Sequence, residues 1–165
     1  MAPHYERTTV ATDLDDLPTD MRAALGAYGL AHQLSLDDAL PAWSTRSVNP
    51  PSTTMMGKLF RRRANPTDPD SEHQTVVIVH PSHVIVVISG SERGVTVLST
   101  PLAIASITDG PTIGGVGSGE TGFTITGLPG DAGWPGSFYV GLGPEPAGRD
   151  CAEAVRAAVV AAKNR

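Results

Sequence analysis

The stretch from Gln74 to Asp109, QTVVIVHPSHVIVVISGSERGVTVLSTPLAIASITD, constrains what this chain can fold into more than any other. Val76 to Val79 form one β-branched run, Val84 to Ile88 a second, and Val95, Val97 and Leu98 a third. Branching at Cβ restricts χ1 and suits a pleated surface better than a helix. The runs are also too short and too interrupted to be helices. With Pro81-Ser82 and Gly90 to Gly94 between them, they predict three consecutive antiparallel strands.

The rest of the chain reads as material that extends, closes or plugs that sheet. At 165 residues the chain is one domain's worth, able to bury roughly two thirds of its unfolded surface. Hydrophobic residues make up 40% and charged residues 18%, with 18 Gly and 14 Pro, a turn-rich β profile. The formal net charge of -5 repels polyanions, which argues against nucleic acid as a partner. One cysteine, Cys151, excludes an internal disulfide. The N-terminal sequence has neither a basic nor an apolar leader segment, and no apolar run approaches the roughly 18 residues of a spanning helix. A reduced, cytoplasmic setting is the expectation.

In chain order, residues 1–14 are polar and unpatterned and read as a loose arm. Leu17, Met21, Ala24, Leu25 and Tyr28 then fall on one face of a helix, with Asp15, Asp16 and Asp20 near its start and Gly26 and Gly29 weakening its end. Ser35 to Asp38 resembles a capping box before a short helix that Pro41 stops. Trp43 is the expected anchor of this helical preface on the sheet. Asn49-Pro50-Pro51-Ser52 marks the passage into the β part. Strands are expected over 53–63, 102–109, 123–128 and 137–142, with a Gly-rich loop over 112–122. From Gly148 to Lys163, Cys151, Val155, Ala158, Val159 and Ala162 form an apolar stripe, so the chain ends in an amphipathic helix that must bury one face.

About seven antiparallel strands followed by one amphipathic helix resembles the bacterial pleckstrin-homology-like (PH-like) domain family. The hairpin VVIVHPSHVIVVIS, then GVTVLSTPLAIASI, then SFYVGL running into AGRDCAEAVRAAVVAAK carry the likeness over residues 53–163. It implies a mainly β, α+β fold: a strongly bent seven-stranded barrel capped by the C-terminal helix over 53–165, with residues 1–52 as an arm and helical extension packed on it. It also implies a binding or adaptor module, commonly without catalysis, for protein segments or anionic lipid. Lys58, Arg61, Arg62 and Arg63 resemble the basic signature of lipid-binding members, but the strand from Gln74 to His80 adds no Lys or Arg, so the pattern departs from theirs.

Lys58, Phe60, Arg61, Arg62 and Arg63 are nonetheless candidate contacts for a protein or an anionic membrane. Each cation near such a surface is worth about 1 kcal/mol; alternatively the cluster is a solvated strand end that discourages edge pairing. His80 and His83 flank Pro81-Ser82 and would face each other across a hairpin with Cβ atoms about 5 Å apart, close enough to share a cation. A third ligand is not evident: His73 is a strand away, and neither Asp68 nor Asp70 has a geometry that the sequence fixes. Gly117 to Gly122 matches G-x-G-x-x-G but precedes a strand, where the dinucleotide fingerprint needs a helix. Cys151 lies on the buried stripe, Asp15-Asp16 and Asp37-Asp38 sit at helix starts, and Trp134 is the aromatic expected to be partly exposed and a further candidate for partner or lipid contact. No cofactor is called for. The sequence therefore favours a non-enzymatic module for a protein partner, with the loops at the unplugged end and the open sheet edge as first surfaces; peripheral lipid binding, and a small-ligand or metal-dependent enzyme using His80 and His83, are the alternatives.

Overall fold

The three apolar runs are neighbouring antiparallel strands. In the computed structural model, which describes residues 5–50, 59, 70–110, 121–130 and 135–165, they are β3 (Glu72–Val79), β4 (His83–Gly90) and β5 (Gly94–Pro101). Val76 lies opposite Val87, Val77 opposite Val86 and Ile78 opposite Ile85. None of these six side chains is more than 1% exposed. Because successive side chains point to opposite faces, neighbours in sequence can all be buried only where both faces of the sheet are covered.

β1 (Glu6–Thr12) and β2 (Ala42–Val48) complete a five-stranded sheet in the order β1-β2-β3-β4-β5. This corrects the expected loose arm. The segment looks unpatterned because it is an edge strand that buries Thr9 and leaves Val10 53% exposed. Its β-branched Thr8, Thr9, Val10 and Thr12 are the strand signal.

One face is covered by a 3-10 turn at Leu14–Asp16 and by α1 (Thr19–His32). Leu14, Leu17, Met21 and Leu25 pack there on Val76, Ile78, Ile85 and Val87. The expected helical stripe is present, and the helix runs past both glycines. A Cβ on Gly29 would come within 2.9 Å of Leu36 Cδ1, so glycine lets the following chain fold back closely. Ser35 to Leu40 then turns instead of forming the expected short helix: Asp37 Oδ1 accepts the Ala39 N–H at 2.8 Å, a local bond that competes with helix initiation. Trp43 is half-buried in β2 but joins the cluster on the other face, so it does not anchor α1.

That other face is covered by a three-stranded sheet, β6 (Ser106–Asp109), β7 (Thr121–Pro129) and β8 (Pro135–Leu142), and by α2 (Pro146–Lys163). Phe123, Ile125, Val140, Cys151, Val155 and Val159 meet Val77, Val84 and Val86 in the main core. β6 is shorter than expected because Ile104 and Ala105 both donate their N–H to the Pro101 carbonyl, at 3.2 and 3.1 Å, making residues 101–105 a turn. In β7 the register shifts between Thr126 and Leu128. Gly127, at φ +110°, supplies the bulge, and Leu128 thereby turns into the same core as Phe123 and Ile125 although its parity opposes theirs.

The described strands number eight and form two sheets, not one closed seven-stranded barrel. The sheets meet at two seams joined by side chains instead of ladders. At one, Gly143 N–H donates to Thr9 Oγ1 at 2.8 Å; at the other, Thr100 Oγ1 donates to the Gly127 carbonyl at 2.9 Å. α2 fills the space between the sheets, touching β1, β2 and β3 of one and β6 and β7 of the other, and Arg156 pairs with Asp109 to fix it to β6. No helix of the described residues is long and apolar enough to cross a membrane.

Candidate functional site

Several residues singled out by sequence, Lys58, Phe60, Arg61, Arg62, Arg63 and Trp134, lie outside the described residues, as do Asp68 and residues 112–120 of the Gly-rich loop. So does the strand expected over 53–63, apart from Leu59, whose backbone is helical and whose side chain is 74% exposed. The G-x-G-x-x-G string ends inside β7 at Gly122, which is strand and not a helix start.

His80 and His83 do flank a two-residue turn: His80 N–H donates to the His83 carbonyl at 2.9 Å. Their rings stand edge to face with centroids 6.1 Å apart. Ser82 comes between them, its Oγ 3.0 Å from His80 Nδ1 and 2.7 Å from His83 Nδ1. Both Nδ1 atoms are therefore engaged, and among the described residues no group of three or more His, Cys, Asp or Glu is placed to hold a metal. The serine has imidazoles beside it on an exposed turn, yet among the described residues no carboxylate is hydrogen-bonded to either ring to orient it as a base.

Cys151 is fully buried, and loss of hydration pushes its thiol up to about 12, so it carries no thiolate at neutral pH. Asp37 and Asp38 sit in a turn and not at a helix start. A hydrogen bond with Asp15, assisted by burial and by the charge of Asp15, holds the Asp38 carboxyl above its usual range.

Asp70, which the sequence left without a fixed geometry, is firmly placed. It is 1% exposed and accepts the Glu92 N–H at 2.7 Å, the Ser91 hydroxyl at 3.1 Å and Arg93 Nε at 2.6 Å. Burial alone would raise its pKa, but these donors, the Glu92 amide foremost, bring it down to about 2. Asp70 thus staples the β4–β5 turn and sets where β5 begins. Its sequence signal is faint, because the partners lie more than twenty positions away.

The two edges of the large sheet differ. On β1, the Thr9 N–H donates outward to Glu145 Oε2 at 3.1 Å, while Thr9 Oγ1 meets Thr45 Oγ1 at 2.7 Å and receives Gly143 N–H. The Arg7 guanidinium lies 4.8 Å from the Tyr5 ring centroid and 5.9 Å from that of Tyr139 on β8, and donates to Ser47 Oγ at 3.3 Å. β1 is covered. On β5 the sequence GVTVLSTP carries no charge, its ladder to β4 is unbroken from Gly90–Gly94 to His83–Pro101, and among the described residues no strand pairs with its outer side. Tyr28 Oη holds Ser99 Oγ at 2.6 Å from the α1 face. Beyond Ser99 the edge leads into an apolar groove of about 400 Å³ lined by Pro101, Ile104, Leu128, Pro129 and Pro135, where Ile104 is 62% exposed.

No family model matches the chain, and no curated protein or solved structure matches it. Function is therefore read from the geometry alone.

Proposed function

We propose that this chain is a non-enzymatic interaction module that binds a protein partner, an extended segment of which adds to the sheet along β5. The contrast between its two edges carries the reading. An uncharged, eight-residue strand whose outer side pairs with no strand among the described residues is a template for another strand, and proteins that need no such template blunt it as β1 is blunted by Glu145 and Arg7. The groove at the end of β5 is where an apolar side chain of the added strand would sit. The element order, strands followed by a C-terminal helix seated on them, supports the PH-like kinship, with adaptor function as its usual expression; the two open seams count against it.

The test is photo-crosslinking in the cells that make the protein, with the crosslinking side chain placed at Thr96 on β5 or at Thr8 on β1, both exposed. The expected result is a discrete adduct from Thr96 and none from Thr8. Equal adducts at the two positions, or none at Thr96, would remove β5 as the binding edge.

A further inference from the structure

Resting on the reading of β5 as the binding edge, we infer that the added segment belongs to a different protein, not to a second copy of this chain, and carries an apolar side chain at the position beside Pro101. The backbone sets the frame. Leu102 N–H donates to the Ser82 carbonyl at 2.9 Å, just outside the facing residues His83 and Pro101. In an antiparallel ladder that bond marks His83–Pro101 as a pair without mutual hydrogen bonds, which suits a proline, since it has no N–H. The other side of β4 agrees: His80 N–H donates to the His83 carbonyl, so His83, Ile85 and Val87 bond to β3 and leave Val84, Val86 and Ile88 for β5. Thr100, Leu98 and Thr96 therefore direct their backbone groups to β4. Val95, Val97 and Ser99 aim theirs outward, and Pro101 ends the free ladder with a carbonyl alone.

Side chains follow the same parity. Val95 and Val97 pack on the α1 side, where Ser99 meets Tyr28, whose ring is stacked on His32 with centroids 4.0 Å apart. Leu98 packs on the opposite side, in the main core, and Thr96 shares its parity. A strand laid along β5 thus sends alternate side chains beside the Tyr28–His32 stack and the others past Leu98 toward the groove of Pro101, Ile104, Leu128, Pro129 and Pro135. None of these five side chains is charged. A second copy does not fit this frame. Two copies that continue one sheet across a twofold axis, with both α1 helices on one face, join β5 to β5 antiparallel, so the Pro101 end of each meets the Gly94 end of the other. The groove then faces a glycine and, beyond it, Glu92 and Arg93. Glycine fills nothing, Arg93 is held by Asp70, and a carboxylate is costly to desolvate against an apolar wall. The net charge of -5 on each chain also sets copies against each other. An uncharged, apolar side chain on a foreign strand meets every one of these conditions.

Hydrogen exchange of the purified chain checks the frame: the Val95 and Val97 amides should exchange rapidly while those of Thr96 and Leu98 are protected, and equal protection of all four would overturn the inference. The occupant is tested with the crosslinking side chain at Thr96, in the wild type and in Ile104→Glu, the linked peptide being sequenced by mass spectrometry. Ile104 is 62% exposed, so the variant keeps the fold. The expected result is a peptide foreign to this chain, apolar at alternate positions, with its yield reduced about tenfold or more in Ile104→Glu. A linked peptide from this chain itself, or equal yield in the variant, overturns this inference and leaves β5 as the edge. No adduct from Thr96 in either protein removes the β5 reading and this inference with it.

Discussion

β1 and β5 close the same sheet at opposite ends, and their sequences misstate their situations. β1, ERTTVAT, is polar enough to pass for a disordered arm, yet its Thr9 is 1% exposed and satisfied on every side. β5, GVTVLSTP, has the composition of an inner strand and lies at an edge. The difference comes from what arrives later in the chain. Glu145, 136 positions from Thr9, supplies the acceptor that β1 needs, whereas β5 lies against β7 and, among the described residues, receives a hydrogen bond across that seam at Thr100. Edge protection in this fold is a tertiary property, delivered to β1 by the turn between β8 and α2; among the described residues no such turn reaches the outer side of β5.

That contrast can be broken most strongly at the turn that starts β5. Asp70→Asn keeps the volume but removes the charge that holds Arg93 and weakens acceptance from Ser91 and Glu92. It should lower the melting temperature more than Thr9→Val or Thr96→Lys does, and give a β4–β5 turn whose amides exchange faster. The wild type should also show an acid transition that the variant lacks. Asp70 has a folded-state pKa of about 2 against an ordinary 3.8, so the unfolded chain takes up the proton at higher pH. The stability it contributes is present above the ordinary value and lost as pH falls through the lower one. Thermal melts between these limits read the slope directly, and parallel curves for the two proteins would show that the staple contributes nothing.

Thr9→Val attacks the covered edge instead. It preserves shape while leaving the Gly143 N–H and the Thr45 hydroxyl, both buried with it, without their shared oxygen. A buried polar group left unsatisfied costs about 1–3 kcal/mol, so a loss of about 2 kcal/mol is expected in urea unfolding, with β1 amides becoming the fastest-exchanging in the large sheet. If β1 is unaffected, its protection rests on the Glu145 carboxylate and the Arg7 stack alone.

How much of this was legible follows from where each signal lies. The central strands are local: χ1-stiffened runs with a Pro-Ser turn place β3, β4 and β5, with ends that extend one to four residues beyond the runs. The stripe of α2 is equally local, and Cys151, Val155 and Val159 are buried as it predicts. The lack of alternation in VVIV and VIVVI also had a meaning that the barrel expectation passed over. A sheet with one wet face alternates, whereas these strands are dry on both sides, so covering layers were needed on each. The bulge at Gly127 reverses side-chain parity within one strand, which period-two counting cannot see. Trp43 shows the same limit: its size predicts burial, and its face depends on the register of β2. At the candidate site, the His80–His83 turn could be placed from sequence but the intervening Ser82 hydroxyl could not, and Asp70 needed partners that only the fold brings near.

The sharpest probe of the comparison has the smallest effect on the fold. Thr96 points to solvent near the middle of β5, so Thr96→Lys should change stability by no more than about 0.5 kcal/mol, about 1–2 °C in melting temperature for a chain of this size. A lysine on an edge strand must nevertheless be desolvated when another strand pairs there, and natural edges use it for that reason. Thr96→Lys should therefore abolish the adduct formed when the crosslinking side chain is moved to Val95, while Thr8→Lys on β1 leaves that adduct intact. Because both variants stay folded, loss in one and retention in the other can be assigned to the edge and not to the sheet; equal retention would mean that β5, for all its openness, is not where the partner lies.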